Sequence, residues 1–313
     1  MVPPDLVARQ AAPSLTGELF SYARGRVAFE SPHRSPSKCI LLGGLSDGLL
    51  PVPYTHPLES VLAEKDWSLV QPVLSSSYTG FGHGSLDRDV LELDELLGYL
   101  IGQHDSQQIA MVGHSTGTQD IVHYMKHGRA DLVEKVTCIA LQAPVSDREA
   151  STVCHDPTTS PAEHLKSLQR NVEIALDMRN GGRGNEMMPR SAFWAPITAE
   201  RFLDLHERRG RDDYFSSDFS DAELAERLRH IGSSSSLKSC LVAVSGSDEY
   251  VPSTVDSRKL LDRLCAAIDD HSETKKAIPL YIPTGNHNLS SRDGRDSLEF
   301  LQELQRCLPS GRS

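Results

Sequence analysis

Positive charge is scarce in this 313-residue chain: 32 Lys and Arg stand against 43 Asp and Glu, a formal net charge of −11. Gripping a phosphate backbone takes a concentrated basic surface, and no Lys/Arg stripe occurs, so a nucleic-acid partner is not expected. Acidity alone says little about a ligand, because many soluble proteins carry net charge simply to stay dispersed; a neutral or cationic small molecule stays compatible with it. Long apolar runs are also missing. Nowhere do 18 apolar residues stand together, and the opening MVPPDLVARQ lacks a positively charged region followed by an apolar stretch, so neither a membrane span nor a secretory leader is expected. Paired cysteines are absent too. Cys39, Cys138, Cys154, Cys240, Cys265 and Cys307 are scattered without a CxxC, and three stand in the apolar runs KCILL, TCIAL and SCLVAV. They read as reduced, mostly buried thiols of a cytoplasmic protein. No group of His, Cys, Asp and Glu has metal-ligand spacing, so no metal or other cofactor is expected.

What is present suits a globular enzyme. Hydrophobic residues at 38% and charged residues at 24% are enough for a sizeable core, and the length fits one α/β domain carrying an insertion. Short apolar runs bounded by turn residues predict strands at 19–23, 27–30, 38–42, 68–74, 108–112, 136–142, 240–245 and 278–282. Helical patterns at 86–102, 116–126, 253–268 and 293–307 separate most of them from the third onward. That alternation predicts an α/β fold with a mostly parallel central sheet flanked by helices, entered by an antiparallel hairpin. Between Val145 and about Ser236 the rhythm breaks into a polar stretch rich in Arg and Asp, closed by GSSSSLKS, which reads as a flexible return. The expected organisation is a first core segment 1–144, a helical and loop lid 145–236, and a second core segment 237–313.

The chemistry lies at Gly113-His114-Ser115-Thr116-Gly117. It follows the strand-like QIAMV and opens a helix-like segment, the strand, tight turn and helix context of a nucleophile elbow. The glycines are needed because the Ser holds a strained backbone conformation and side chains beside it would strike the neighbouring helix and strand. A serine hydroxyl is a weak nucleophile, so a base must take its proton and an acid must hold the base in the right tautomer. Asp248 and His287, in the loops after the seventh and eighth predicted strands, fill these roles in the chain order of the α/β-hydrolase fold. Glu249 competes for the acid role, and Asp248 also reads as a turn residue before the helix beyond Pro252. A plain surface-loop residue is the competing reading of His287. His114 reads as structural filling beside the nucleophile. For the oxyanion hole, one backbone amide is that of Thr116 and the second comes from the loop Gly43-Gly44-Leu45-Ser46-Asp47-Gly48, with Leu45 the first choice; an ordinary Gly-rich turn is its bland reading. The loop 75–82 either lines the site mouth or merely connects elements. Trp194, Phe202, Tyr214 and Phe215 read as a lid's own small core, or else as a substrate wall.

The segments LLGGLSDGLL, SSSYTGFGHGSLDRDV, GHSTG, PITAERFLDLHERRGRDDYFSSDFSD and SGSDEYVP resemble a family of fungal α/β-hydrolases long catalogued as a domain of unknown function, whose members include siderophore esterases. The resemblance spans nearly the whole chain. It implies a serine esterase that cleaves the ester bonds of fusarinine C or its triacetylated form and so frees iron inside the cell, the iron belonging to the substrate. It implies Ser115, Asp248 and His287 as the catalytic residues, in agreement with the reading above. Two alternatives stay open: a general carboxylesterase or lipase-like hydrolase, told apart by broad activity on short acyl esters without siderophore turnover, and a noncatalytic relative that binds a ligand through the lid, told apart by failure of a phosphonate to label Ser115.

Overall fold

The structure, a computed structural model, describes residues 14–154, 158–291 and 293–310; the amino-terminal residues on which the expectation about a leader rests lie outside the described residues. In chain order the elements are β1 (Glu18–Ala23), β2 (Arg26–Glu30), β3 (Ser37–Leu42), α1 (Thr55–Glu64), β4 (Ser68–Val73), a 3₁₀ turn (Tyr78–His83), α2 (Leu86–Gln103), β5 (Gln108–His114), α3 (Thr116–His127), α4 (Ala130–Val133), β6 (Val136–Gln142), α5 (Asp147–Val153), α6 (Pro161–Asn180), α7 (Ala199–His206), α8 (Asp221–Ser233), β7 (Ser239–Ser245), α9 (Ser257–Ile268), β8 (Ala277–Ile282) and α10 (Arg295–Cys307). The strands form one eight-stranded sheet in the order β1-β2-β4-β3-β5-β6-β7-β8. β1 and β2 pair antiparallel, as do β2 and β4, and every later pairing is parallel.

The central strands are buried along nearly their whole length, as a sheet covered on both faces requires. Alternate residues serve opposite faces. Ile40, Met111, Ile139 and Val242 join the cluster under α2, α3, α8 and α9, while Cys39, Ala110, Cys138 and Leu241 join the one under α1 and α10. Each aliphatic side chain so covered contributes about 1.5–3 kcal/mol of transfer free energy. Both strand prolines stand where pairing is one-sided: Pro279 lies on β8, at the edge of the sheet beside β7 among the described residues, and Pro72 pairs with Ala28 of β2 but lies beyond the β3 pairing of β4, which covers Ser68–Val70.

All eight expected strands are found. α1 was not expected, and the reason is visible: within THPLESVLAE only Thr55, Leu58 and Leu62 are buried, a stripe too thin to read as periodic. α5 to α8 stand between β6 and β7. α6 and α8 each begin in a capping box, Ser160 with Glu163 and Ser220 with Glu223. Phe202 of α7 packs with Phe81, Met178, Met188 and Ile197 in a third apolar cluster. The four aromatics grouped in the sequence do not form one core, however. Tyr214 and Phe215 join the main core, and Trp194 is 48% exposed, because the chain crosses from the α6–α7 pair back to the sheet between residues 206 and 219. No helix among the described residues is long and apolar enough to cross a membrane.

Candidate active site

Ser115 stands between β5 and α3 with φ 53° and ψ −122°, a conformation strained for any L-residue. Its flanking glycines are required by contact. A Cβ on Gly113 would lie 2.4 Å from the Gly117 carbonyl oxygen, and one on Gly117 would lie 2.5 Å from that of Leu42. This turn thus presses against the end of β3, and the loop after β3 comes to Ser115: a Cβ on Gly44 would stand 2.9 Å from Ser115 Cβ. Ser115 itself is only half-buried, while its neighbours on both sides are buried. Thr116 is the first residue of α3, so its amide belongs to the set of N-terminal donors without an intrahelical acceptor. Leu45 follows Gly44, whose own N–H donates to Asp47 Oδ2 at 2.9 Å and so shapes the loop.

Asp248 and His287 meet at the carboxyl ends of β7 and β8. Two backbone bonds, Gly246 N–H to the Ile282 carbonyl at 2.8 Å and Ser247 N–H to that of Gly285 at 3.0 Å, join the two loops. His287 Nδ1 lies 2.8 Å from Asp248 Oδ2 and 3.0 Å from Oδ1, and both residues are buried. A carboxylate accepts, so Nδ1 carries the proton and Nε2 is left with its lone pair. Glu249 contacts the histidine differently: its Oε2 accepts the His287 backbone N–H at 2.9 Å. Tyr250 and His114 bracket the imidazole, with ring centroids 4.5 and 4.9 Å away.

Gln142, the last residue of β6, carries no signal in the sequence except that a polar residue ends the apolar run TCIALQ. Fully buried, it donates from Nε2 to the His287 carbonyl at 2.9 Å and accepts at Oε1 from Tyr54 at 3.0 Å and from His114 Nδ1 at 2.6 Å. Its backbone carbonyl accepts the Ser115 N–H at 3.0 Å. One residue therefore touches both the Ser115 turn and the His287 loop.

Beside Ser115 lies a small cleft, open to solvent on one side, lined by Gly44, Leu45, Ser76, Phe81 and Thr116 and closed by Asp89, Asp120 and Arg201. The loop 75–82 therefore lines the site mouth. Arg201, buried on α7, donates to Asp212 at 2.6 Å and to the Phe81 carbonyl at 3.1 Å. Burial pushes Asp89 up to about 7 although Ser76 donates to it, and burial with the neighbouring Asp89 and Asp212 holds Asp120 well above the usual carboxylate range. No group of three or more His, Cys, Asp or Glu suited to a metal ion occurs among the described residues.

Comparison with known proteins agrees with this architecture. The family described as "Protein of unknown function (DUF1749)" matches residues 8–306. The chain is 32% identical to the fusarinine C esterase sidJ of Aspergillus fumigatus, over 92% of this chain and 93% of that one. It is 31% identical to esterase AN6793 of Emericella nidulans, over 93% and 90%. The siderophore hydrolase EstB from Aspergillus fumigatus superposes with a TM-score of 0.82 at 28% identity, covering 97% of this chain and 99% of that one. The fold is that of the α/β-hydrolases.

Proposed function

This chain belongs to the family described as protein of unknown function (DUF1749), and from that membership together with the site geometry we propose a serine esterase that cleaves the ester bonds of a hydroxamate siderophore of the fusarinine C type. The observation that carries the reading is the pairing of buried His287 with Asp248 at the sheet edge where Ser115 occupies its strained turn. Support for the substrate class comes from relatives whose names specify fusarinine C and siderophores. Six cysteines without a disulfide support a cytoplasmic site of action.

In this reading Asp248 holds the imidazole with Nε2 lone pair outward, and that nitrogen takes the Ser115 proton as Oγ attacks the ester carbonyl. The amides of Thr116 and Leu45 receive the oxyanion, a contribution of about 2.7–4 kcal/mol for each donor at such sites. The imidazolium then gives its proton to the leaving alcohol, and water, deprotonated by His287 in turn, releases the acid from the acyl-enzyme. Iron enters as part of the substrate.

The test is mass-spectrometric analysis of iron-loaded fusarinine C and triacetylfusarinine C after incubation with wild type and with Ser115→Ala. Stepwise addition of water by wild type alone is the expected outcome. Intact siderophore in both reactions, alongside turnover of short nitrophenyl esters, would remove the substrate assignment and leave a general carboxylesterase.

A further inference from the structure

His287 lies in the loop between β8 and α10, outside the hydrogen-bond ladder of the sheet. Side chains hold it there instead. Gln142 Nε2 donates to its carbonyl at 2.9 Å, Asp248 Oδ2 accepts from Nδ1 at 2.8 Å, and Glu249 Oε2 accepts its backbone N–H at 2.9 Å. Two of these partners are consecutive in the chain, and the next residue joins them. Tyr250 lays its ring 4.5 Å from the imidazole and donates its own N–H to Asp248 Oδ1 at 2.9 Å. The single turn Asp248-Glu249-Tyr250 therefore meets one histidine through three side chains.

Each contact limits a different freedom. Asp248 sets the tautomer and direction of the ring, and Tyr250 with His114 limits its tilt, but all three act on the side chain. The backbone from which the ring hangs is fixed by Gln142 at the carbonyl and by Glu249 at the N–H. Glu249 is exposed, whereas His287 is buried. An exposed glutamate keeps its rotamer freedom by staying in water, so its turn back to a backbone donor reflects the strength of a charge-assisted bond.

We propose that Glu249 is a positioning residue for His287: by holding its backbone N–H, it fixes the point from which the imidazole reaches Ser115. This rests on the esterase reading and adds to it a second carboxylate, whose role differs from that of Asp248. The role needs an acceptor oxygen at the full length of a glutamate side chain and does not need its charge.

That requirement sets the test. kcat and KM for nitrophenyl acetate, per site titrated with a phosphonate, are compared among wild type, Glu249→Gln, Glu249→Asp and Glu249→Ala. Gln keeps length and acceptor without charge, and Asp keeps charge but is one methylene short. In Gln, kcat is expected to stay within about threefold of wild type; in Asp and Ala it is expected to fall about tenfold or more, with KM within about twofold throughout. Wild-type kcat in Ala, or a loss in Gln as large as in Ala, would overturn the proposal. Should Ala not fold, Gln and Asp decide, and a kcat in Asp equal to or above that in Gln overturns it. Hydrogen exchange at the His287 amide needs no turnover: about tenfold or more acceleration is expected in Ala and little change in Gln, and equal exchange in wild type and Ala overturns the proposal. Absent turnover in a wild type that shows this exchange pattern would count against the esterase reading and not against the Glu249 contact.

Discussion

At the scale of single residues, the site is held from beneath. Gln142 joins the His287 carbonyl, Tyr54 and His114 through one side chain, so its loss leaves several buried groups without partners. Gln142→Leu is therefore expected to lower kcat about 10- to 100-fold, as small displacements of a base do, with KM changed much less; steady-state kinetics on a nitrophenyl ester would decide, and an unchanged kcat would show that the His287 loop stays in place unaided. Asp204 offers a test of buried charge. Burial and nearby Asp212 push it up to about 7, above its unfolded value near 3.9. The folded state thus holds a proton that the unfolded state gives up between pH 4 and 7, and the stability attached to it is present at low pH and lost as pH rises through about 7. Asp204→Asn keeps the neutral form at every pH. Its stability relative to wild type should accordingly rise by about 1–3 kcal/mol between pH 5 and 8, measured by urea unfolding at both pH values, and a difference independent of pH would refute the assignment.

At the scale of elements, two contacts decide whether the parts meet. The elbow needs the end of β5, the start of α3 and the end of β3 in near contact, which is why Gly117→Ala, with its Cβ 2.5 Å from the Leu42 carbonyl, must force strand and helix apart. Its expected cost is about 1–3 kcal/mol, together with lost turnover, and a melting temperature equal to wild type would mean that the elbow yields. The second contact ties α7 to the 3₁₀ turn through Arg201, whose guanidinium reaches both Asp212 and the Phe81 carbonyl. Arg201→Met leaves Asp212 buried without its cation and should cost about 3–5 kcal/mol, most of it recovered when Asp212→Leu is added, since apolar replacement of both partners is often neutral. Chemical denaturation of the single and double variants checks this, and a double variant no more stable than the single would locate the cost elsewhere.

For the whole molecule, thiols report the integrity of the layers. Cys39, Cys138 and Cys240 are buried between sheet and helices, Cys154 alone of the six is exposed, and burial pushes Cys138 up to about 11. A thiol reagent should therefore modify Cys154 quickly in the native protein. The three core thiols should react only at the rate of unfolding. Rapid modification of any of the three, by mass spectrometry of tryptic peptides, would mean that the sheet opens locally. The α5–α8 segment is joined to the rest by contacts of several kinds, among them His123 to Tyr214 at 2.7 Å, Gln119 to Asp147 at 2.6 Å and Arg263 to Asp221 at 2.6 Å.

By itself the sequence determined the strand and helix alternation, because runs such as KCILL and SCLVAV suit strands of a sheet covered on both faces, and it offered Ser115 as the candidate nucleophile, because glycines on both sides of a Ser after a buried strand match the context of a nucleophile elbow. It also put Asp248 and His287 in loops at strand ends. Which of Asp248 and Glu249 faces the imidazole was decided only by the fold, since adjacent residues in a turn point apart and the Gly246 and Ser247 backbone bonds to the β8 loop fix which one turns inward. The role of Gln142, the split of Phe202 from Tyr214 and Phe215, and the meeting of Asp89, Asp120 and Arg201 were likewise settled by tertiary structure. Those contacts join residues far apart in the chain, and no local pattern of polarity encodes a pairing made only when α2, α3 and α7 pack together.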